Sequence, residues 1–249
     1  MTQDQPPTSL VTGGAHAWRL PPDERGPAMA RSLLAQAMAA LGLDQEVIED
    51  GRLAVSEIAT NALRHARPAP GAAPVVPPEL WVWARTVPAP QLVVSVFDGA
   101  RSLPPRPGRG GLLEESGKGL ALVAEVAADW GYGPSRSLLA DPPVPGKAVW
   151  FALPLPPDWP GRTVTVHPDA AARCLMRVLA RRGLHGRHSG TGALSVLELP
   201  GLNVWVLPGC FSWQPRPDRL IRHPLIDLQE TAERIIRHLD GSSSSMPAS

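Results

Sequence analysis

Cysteine, lysine and tyrosine are scarce in this sequence, and it has no long apolar run and no excess of either charge. Two cysteines, Cys174 and Cys210, cannot staple a small secreted fold. Free thiols in a reducing cytoplasm fit them, and a single bond between them stays open. Lys118 and Lys147 are the only lysines, so nearly every basic residue is an arginine. With abundant alanine, proline and glycine, this reads as the coding bias of a GC-rich bacterium, and a run of arginines carries little weight. The formal net charge of +1 gives no electrostatic reason to expect nucleic acid or an anionic membrane as partner. No stretch approaches the roughly 20 apolar residues that span a bilayer. Met1 to Leu10 is polar and holds prolines, without the basic start and apolar centre of a signal peptide. The expected location is the cytoplasm.

The 249 residues suffice for one large domain or two small ones, and 43% hydrophobic with 19% charged residues is ordinary for a globular chain. Residues 1–14 are expected to form a flexible tail. Ala15–Leu20 predicts an edge strand, ended by Pro21 and Pro22. Met29, Leu33, Leu34, Met38 and Leu41 recur at near-helical spacing over Asp23–Leu43, and Gly42 is an end signal. Asp44 can cap a second helix reaching about Ala66. Pro68–Pro78 reads as loop. Glu79–Val87 and Gln91–Phe97 read as strands, the second almost continuously apolar, as in a strand covered on both faces. Arg101–Ser116, rich in Gly, Pro and Arg, is too long for a simple turn and reads as a mobile loop. Gly117–Asp129 predicts a third helix, and Trp130–Leu138 and Gly146–Leu153 two closing strands. The order predicts an α+β fold, a two-layer sandwich with helices on one face of a mixed sheet.

Four prolines between Pro154 and Gly161 mark a stiff linker and a boundary. Beyond it, Arg162–His167 (strand), Pro168–Arg182 (helix), Ala193–Leu199, Leu202–Leu207 and Cys210–Gln214 (strands) and Ile226–Leu239 (helix) predict a second, small α+β domain over 162–240. The serine-rich tail from Gly241 is expected to be disordered. His167, His185, His188 and His223 show no metal-ligand spacing. Trp205, Phe211 and Trp213 read as core or hairpin packing, and Arg181, Arg182 and Arg187 as a solvated basic patch.

The second helix carries the most informative segment, Ser56-Glu57-Ile58-Ala59-Thr60-Asn61-Ala62-Leu63-Arg64-His65. At about 100° per residue, Glu57, Asn61 and Arg64 fall within roughly 60° of one another, with His65 close by. Val55, Ile58, Ala59, Ala62 and Ala66 cover the opposite arc. One face can pack on a sheet while the other presents a carboxylate, an amide and a cation. For a helix met without context, that face is ordinarily solvated surface.

This form, Ser-Glu-x-x-Thr-Asn-Ala-x-x-His, resembles the N box of the GHKL ATPases: gyrase, a heat-shock chaperone, histidine kinases and mismatch-repair enzymes. It is most similar to their anti-sigma-factor serine kinase branch. The resemblance implies a Bergerat-type ATP-binding fold over 15–154, ATP and Mg²⁺ as cofactors, Asn61 as the magnesium ligand and Glu57 as general base. Arg64 and His65 could touch phosphate or simply end the helix. A magnesium ion takes hard oxygen donors and keeps several waters, so one amide with phosphate oxygens is sufficient.

Two further motifs follow in order. Asp98 and Gly99 sit at the end of the apolar strand; in the resembling family this aspartate reads the adenine amino group, whereas Asp-Gly alone is a common turn pair. The family's Asp-x-Gly-x-Gly has Ala100 and Ser102 at its two glycines here. Gly117, Lys118, Gly119 and Leu120 open the third helix, where backbone N–H groups and the helix dipole favour phosphate. By the resemblance, Arg101–Ser116 is then the ATP lid.

Histidine kinases need a phosphoacceptor histidine on a preceding helix, and Asp23–Leu43 contains none. The large GHKL machines need more chain than the roughly ninety residues after the linker. The resemblance therefore implies a serine/threonine kinase acting on an anti-anti-sigma factor, holding a sigma factor, or both; homodimerisation is an open expectation. The alternative is a nucleotide-gated adaptor with little or no catalysis.

Overall fold

The computed structural model describes residues 8–65, 76–100, 118–159, 166–190 and 192–243. In chain order the elements are α1 (Thr8–Val11), β1 (Ala15–Arg19), α2 (Arg25–Ala40), α3 (Gln45–His65), β2 (Glu79–Arg85), β3 (Gln91–Asp98), α4 (Lys118–Val126), β4 (Asp129–Arg136) and β5 (Pro145–Pro154). They continue with α5 (Pro168–Arg181), β6 (Arg187–Gly190), β7 (Ser195–Leu199), β8 (Leu202–Leu207), β9 (Cys210–Arg216), β10 (Arg219–Pro224) and α6 (Leu228–Ser243). Among the described residues no helix is long and apolar enough to cross a membrane.

The first sheet has the order β1-β2-β3-β5-β4, with β1 at the expected edge. Every neighbouring pair is antiparallel, which corrects the expectation of a mixed sheet. The α4 crossover carries the chain past a vacant slot, so β4 runs parallel to β3 without touching it. The β4–β5 hairpin then inserts β5 between them. Helices α2 and α3 lie on one face. Gly26, Ala30, Leu34 and Met38 form the buried stripe of α2, four residues apart. Ile48, Ala54, Val55, Ile58, Ala59 and Ala62 of α3 are buried with Leu80, Val82, Leu92, Val94 and Val96 in one core. Gly42, at φ 72°, ends α2, as the sequence predicts.

The other face of this sheet is also covered. Trp81, Trp83 and Arg85 of β2 and Trp150 of β5 point away from α3, and α6 lies across them. Trp83 Nε1 donates to Glu230 Oε2 at 3.0 Å. Arg85, 1% exposed in its side chain, donates to Gln91 Oε1 and to Asp129 Oδ2, both at 2.8 Å, and meets Glu230 Oε1 at 3.5 Å. Arg182, just after α5, is buried: it pairs with Glu233 at 2.8 Å and its Cζ sits 4.4 Å above the Trp81 ring. The solvated patch expected at Arg181, Arg182 and Arg187 is therefore wrong for Arg182, because the Glu233 carboxylate, the Ser135 hydroxyl and a tryptophan face come to it. Arg136 adds a paired contact to Asp240. Burial pushes the Glu230 carboxyl up, but Arg234 and Arg85 outweigh it and hold it below its ordinary range. The cover on both faces expected for Gln91–Phe97 is thus real: the whole strand Gln91–Asp98 is buried, and α6 supplies the second cover.

Residues beyond the proline run form a meander, β10-β9-β8-β7-β6, antiparallel throughout, with its own core from α5, α6 and the sheet. Strands β6 and β10 were not anticipated; both are polar edge strands with weak alternation. Phe211 and Trp213 lie in this core, while Trp205, one register step away, takes the opposite face. His167 caps α5 rather than belonging to a strand; residues 160–165 lie outside the described ones. Cys174 and Cys210 are free. The flexible tail expected over 1–14 fails for its second half: Thr8–Val11 is helical, Leu10 is buried, and Gly13 O accepts from Gln229 N at 3.1 Å. The start of the linker is also fixed, since Leu155 N donates to Pro90 O and Trp159 packs on the first core. Helix α6 outlasts its expected end, continuing to Ser243.

One contact at this seam titrates. Asp227 Oδ1 accepts from Thr86 N at 2.8 Å and from Thr86 Oγ1 at 2.9 Å. Burial pushes the Asp227 carboxyl up to about 6 from 3.8, against the opposing Thr86 bonds. A folded-state value raised in this way gives stability fully present below the unfolded value and lost as pH rises through about 6. Asp227→Asn is expected to match the parent near pH 4 and to exceed it by up to about 3 kcal/mol at pH 8 in urea unfolding. His223, pushed down to about 4 chiefly by burial, loses stability as pH falls. It is present in both proteins and cancels in their difference. A variant no more stable than the parent at pH 8 would contradict the assignment.

Candidate nucleotide site

The candidate site is carried by α3, which packs on both β3 and α4 on the helix-bearing face of the first sheet. Two residues of the α3 motif do structural work. Arg31 of α2 donates to Ser56 Oγ at 2.7 Å. Thr60 Oγ1 donates to Ser56 O at 2.7 Å, one turn back. These fix the rotation of α3, so that Ile58, Ala59 and Ala62 are buried while Glu57 and Asn61 stay half-buried at its margin.

Glu57 lies directly on Gly119. A Cβ added at 119 would collide with Glu57 Oε2 and come within 3.1 Å of its Cδ. Only glycine lets the first turn of α4 approach this carboxylate so closely. The structure thus brings together two motifs about sixty residues apart in the sequence. Leu120 is buried beneath them. Asn61 stands one turn after Glu57 on the same helix, and Arg64 is exposed. His65 ends α3 and Lys118 begins α4; neither side chain is among those described. Gly117 and the expected lid Arg101–Ser116 lie outside the described residues.

Asp98 closes β3 and is 1% exposed. Its Oδ1 accepts from Ala100 N at 2.9 Å, a side-chain turn that bends the chain out of the strand at exposed Gly99. The same oxygen accepts from Lys147 Nζ at 2.6 Å, and Lys147 also donates to Ala100 O at 2.9 Å. Lys147 sits opposite Asp98 in the β3–β5 register. Preceding it, Gly146 leaves room for the Phe97 ring, which would lie 2.6 Å from an added Cβ. Sequence reasoning missed Lys147. Its signal was available: a rare residue type for this chain, placed in a strand where lysine is depleted. A carboxylate buried at a strand end needs a donor, and here a lysine is one of them.

The chemistry of this set is coherent. The Glu57 carboxylate meets the start of α4, whose backbone N–H groups favour an anion, and the Asn61 amide stands one turn along the same helix. Among the described residues no group of three His, Cys, Asp or Glu could hold a metal ion. The donors suit magnesium carried by phosphate oxygens, with the Asn61 amide as a hard protein ligand, and do not suit an all-protein cage.

Residues 20–139, just under half of the chain, match the family model of the histidine kinase-like ATPase domain. Over this stretch the chain is similar to an ATP-binding domain of the histidine kinase-like, GHKL type. Strand β5, which holds Lys147, lies beyond the matched stretch yet completes the same sheet. No curated protein matches the chain.

Proposed function

We propose that this protein is an ATP-dependent serine/threonine kinase of the anti-sigma-factor type, acting on a small anti-anti-sigma partner. The observation that carries the reading is the Glu57 carboxylate resting on Gly119, which puts a base beside the helix start that would hold phosphate. In the reaction, a partner hydroxyl oxygen attacks the γ-phosphorus while the bond to the β-phosphate oxygen breaks and ADP leaves. The hydroxyl proton passes to a Glu57 oxygen. Backbone N–H groups of the first turn of α4 would hold phosphate oxygens, and Asn61 would hold magnesium, which would supply neutralisation of phosphate charge. Asp98 reads the adenine amino group. Helix α2 contains no histidine, which favours a hydroxyl acceptor on a partner over a phosphohistidine on this chain.

One feature favours the second reading, a nucleotide-gated adaptor holding a sigma factor: Ala100 and Ser102 replace the glycines that would free the lid. Incubation with γ-labelled ATP, magnesium and candidate anti-anti-sigma proteins separates the two. The kinase reading expects label on a partner serine or threonine. Stable binding of the partners without label would leave the adaptor.

A further inference from the structure

The ion pair at the end of β3 holds more donor capacity than its visible partners use. An ammonium carries three N–H groups. Lys147 spends one on Asp98 Oδ1 at 2.6 Å and one on Ala100 O at 2.9 Å. Among the described residues no acceptor meets the third, although the side chain is 5% exposed. A buried charged donor with an unanswered N–H is costly unless a ligand atom accepts from it.

We infer that Lys147 is a base-reading residue, donating this N–H to N1 of adenine while Asp98 accepts from the exocyclic amino group. The inference rests on the ATP-site reading of Asp98 given above. A carboxylate by itself only accepts, and so senses the amino group but not the ring nitrogen. The adjacent ammonium adds the missing donor, and the two together match the donor–acceptor edge of adenine. In the same pose a 6-oxopurine turns its carbonyl on the carboxylate and its N1–H on the ammonium, and is rejected at both points. Lys147 is suited to the role because its two existing bonds already fix the head group, so little freedom is lost on binding.

Calorimetric titration of the full chain with three magnesium nucleotides tests this. ATP is compared with 1-deaza-ATP, which has C–H for N1, and with purine riboside triphosphate, which lacks the amino group. The parent is expected to bind 1-deaza-ATP about 10- to 100-fold more weakly than ATP, the loss of a charge-assisted hydrogen bond. In Lys147→Met the two nucleotides should bind equally, with ATP reduced to the level of the analogue. Equal affinity of the parent for ATP and 1-deaza-ATP overturns the inference and leaves the ATP site standing. A Met variant that weakens both nucleotides equally, keeping their ratio, also overturns it, since Lys147 then only supports Asp98. Equal affinity for ATP and purine riboside triphosphate removes Asp98 from base reading, and no binding of ATP by the parent removes the site altogether. If Lys147→Met does not fold, the analogue comparison on the parent still decides.

Discussion

Replacing Arg182 by alanine is expected to cost the fold about 3–5 kcal/mol, the effect of breaking a buried ion pair from one side. The Arg182 guanidinium is completely buried, pairs with Glu233 at 2.8 Å and donates to Ser135 Oγ at 2.8 Å. Ser135 in turn donates to Glu233 Oε2 at 3.0 Å, which ties β4 to α6. Removal leaves Glu233, 4% exposed in its side chain, as an uncompensated buried charge and uncovers the face of Trp81. The cost therefore falls on the seam between the two sheets as well as on α5. Removing both charges separates the terms: Arg182→Met with Glu233→Met should recover about 2 kcal/mol or more of the loss, because two apolar side chains can fill the site. Urea unfolding followed by tryptophan fluorescence measures both. A single-variant loss under about 1 kcal/mol would mean that α6 does not seat on the sheet.

The second large effect concerns chemistry. Glu57→Ala is expected to lower phosphoryl transfer by about 10²–10⁴-fold, the usual contribution of a positioned general base. ATP affinity should stay the same or rise, because the substitution removes a negative charge from beside the phosphate cradle. Single-turnover transfer from labelled ATP, with a calorimetric titration of the same protein, reads the two quantities separately. Transfer at the parent rate would remove Glu57 from the base role. A parallel loss of binding would make it a structural residue of the α3–α4 contact.

Much of this site was legible in the sequence because its parts are local. Helical phase alone put Glu57 and Asn61 on one side of α3 and the alanines on the other, and the structure keeps that division. Asp98 could be placed because a buried strand ends there. The near-continuous apolar run of β3 also foretold cover on both faces. What the run could not name was the cover. Helix α6 lies more than a hundred residues away, and its face toward β2 and β4 is made of Glu230, Glu233 and Arg237, which read as solvated polar positions. Glu230 and Glu233 are buried, and Arg237 half-buried, because Arg85, Arg182 and Trp150 meet them, a complementarity that exists only after folding. Arg182 failed for the same reason: in a chain whose basic residues are nearly all arginine, nothing local marks the one that is paired. Lys147 was hidden by register, since only the pairing of β3 with β5 sets it opposite Asp98. The mixed sheet was a topological error, made by treating β4 as the neighbour of β3 and not foreseeing that the hairpin slips β5 between them.

In the proposed function the amide and acid of α3 serve a magnesium-bound triphosphate. Titration of ATP with and without magnesium, on the parent and on Asn61→Ala, tests it most directly. The parent should bind ATP at least about tenfold more tightly with the metal, a difference of about 1.4 kcal/mol, and Asn61→Ala should lose that gain. An unchanged magnesium dependence in Asn61→Ala would contradict the account.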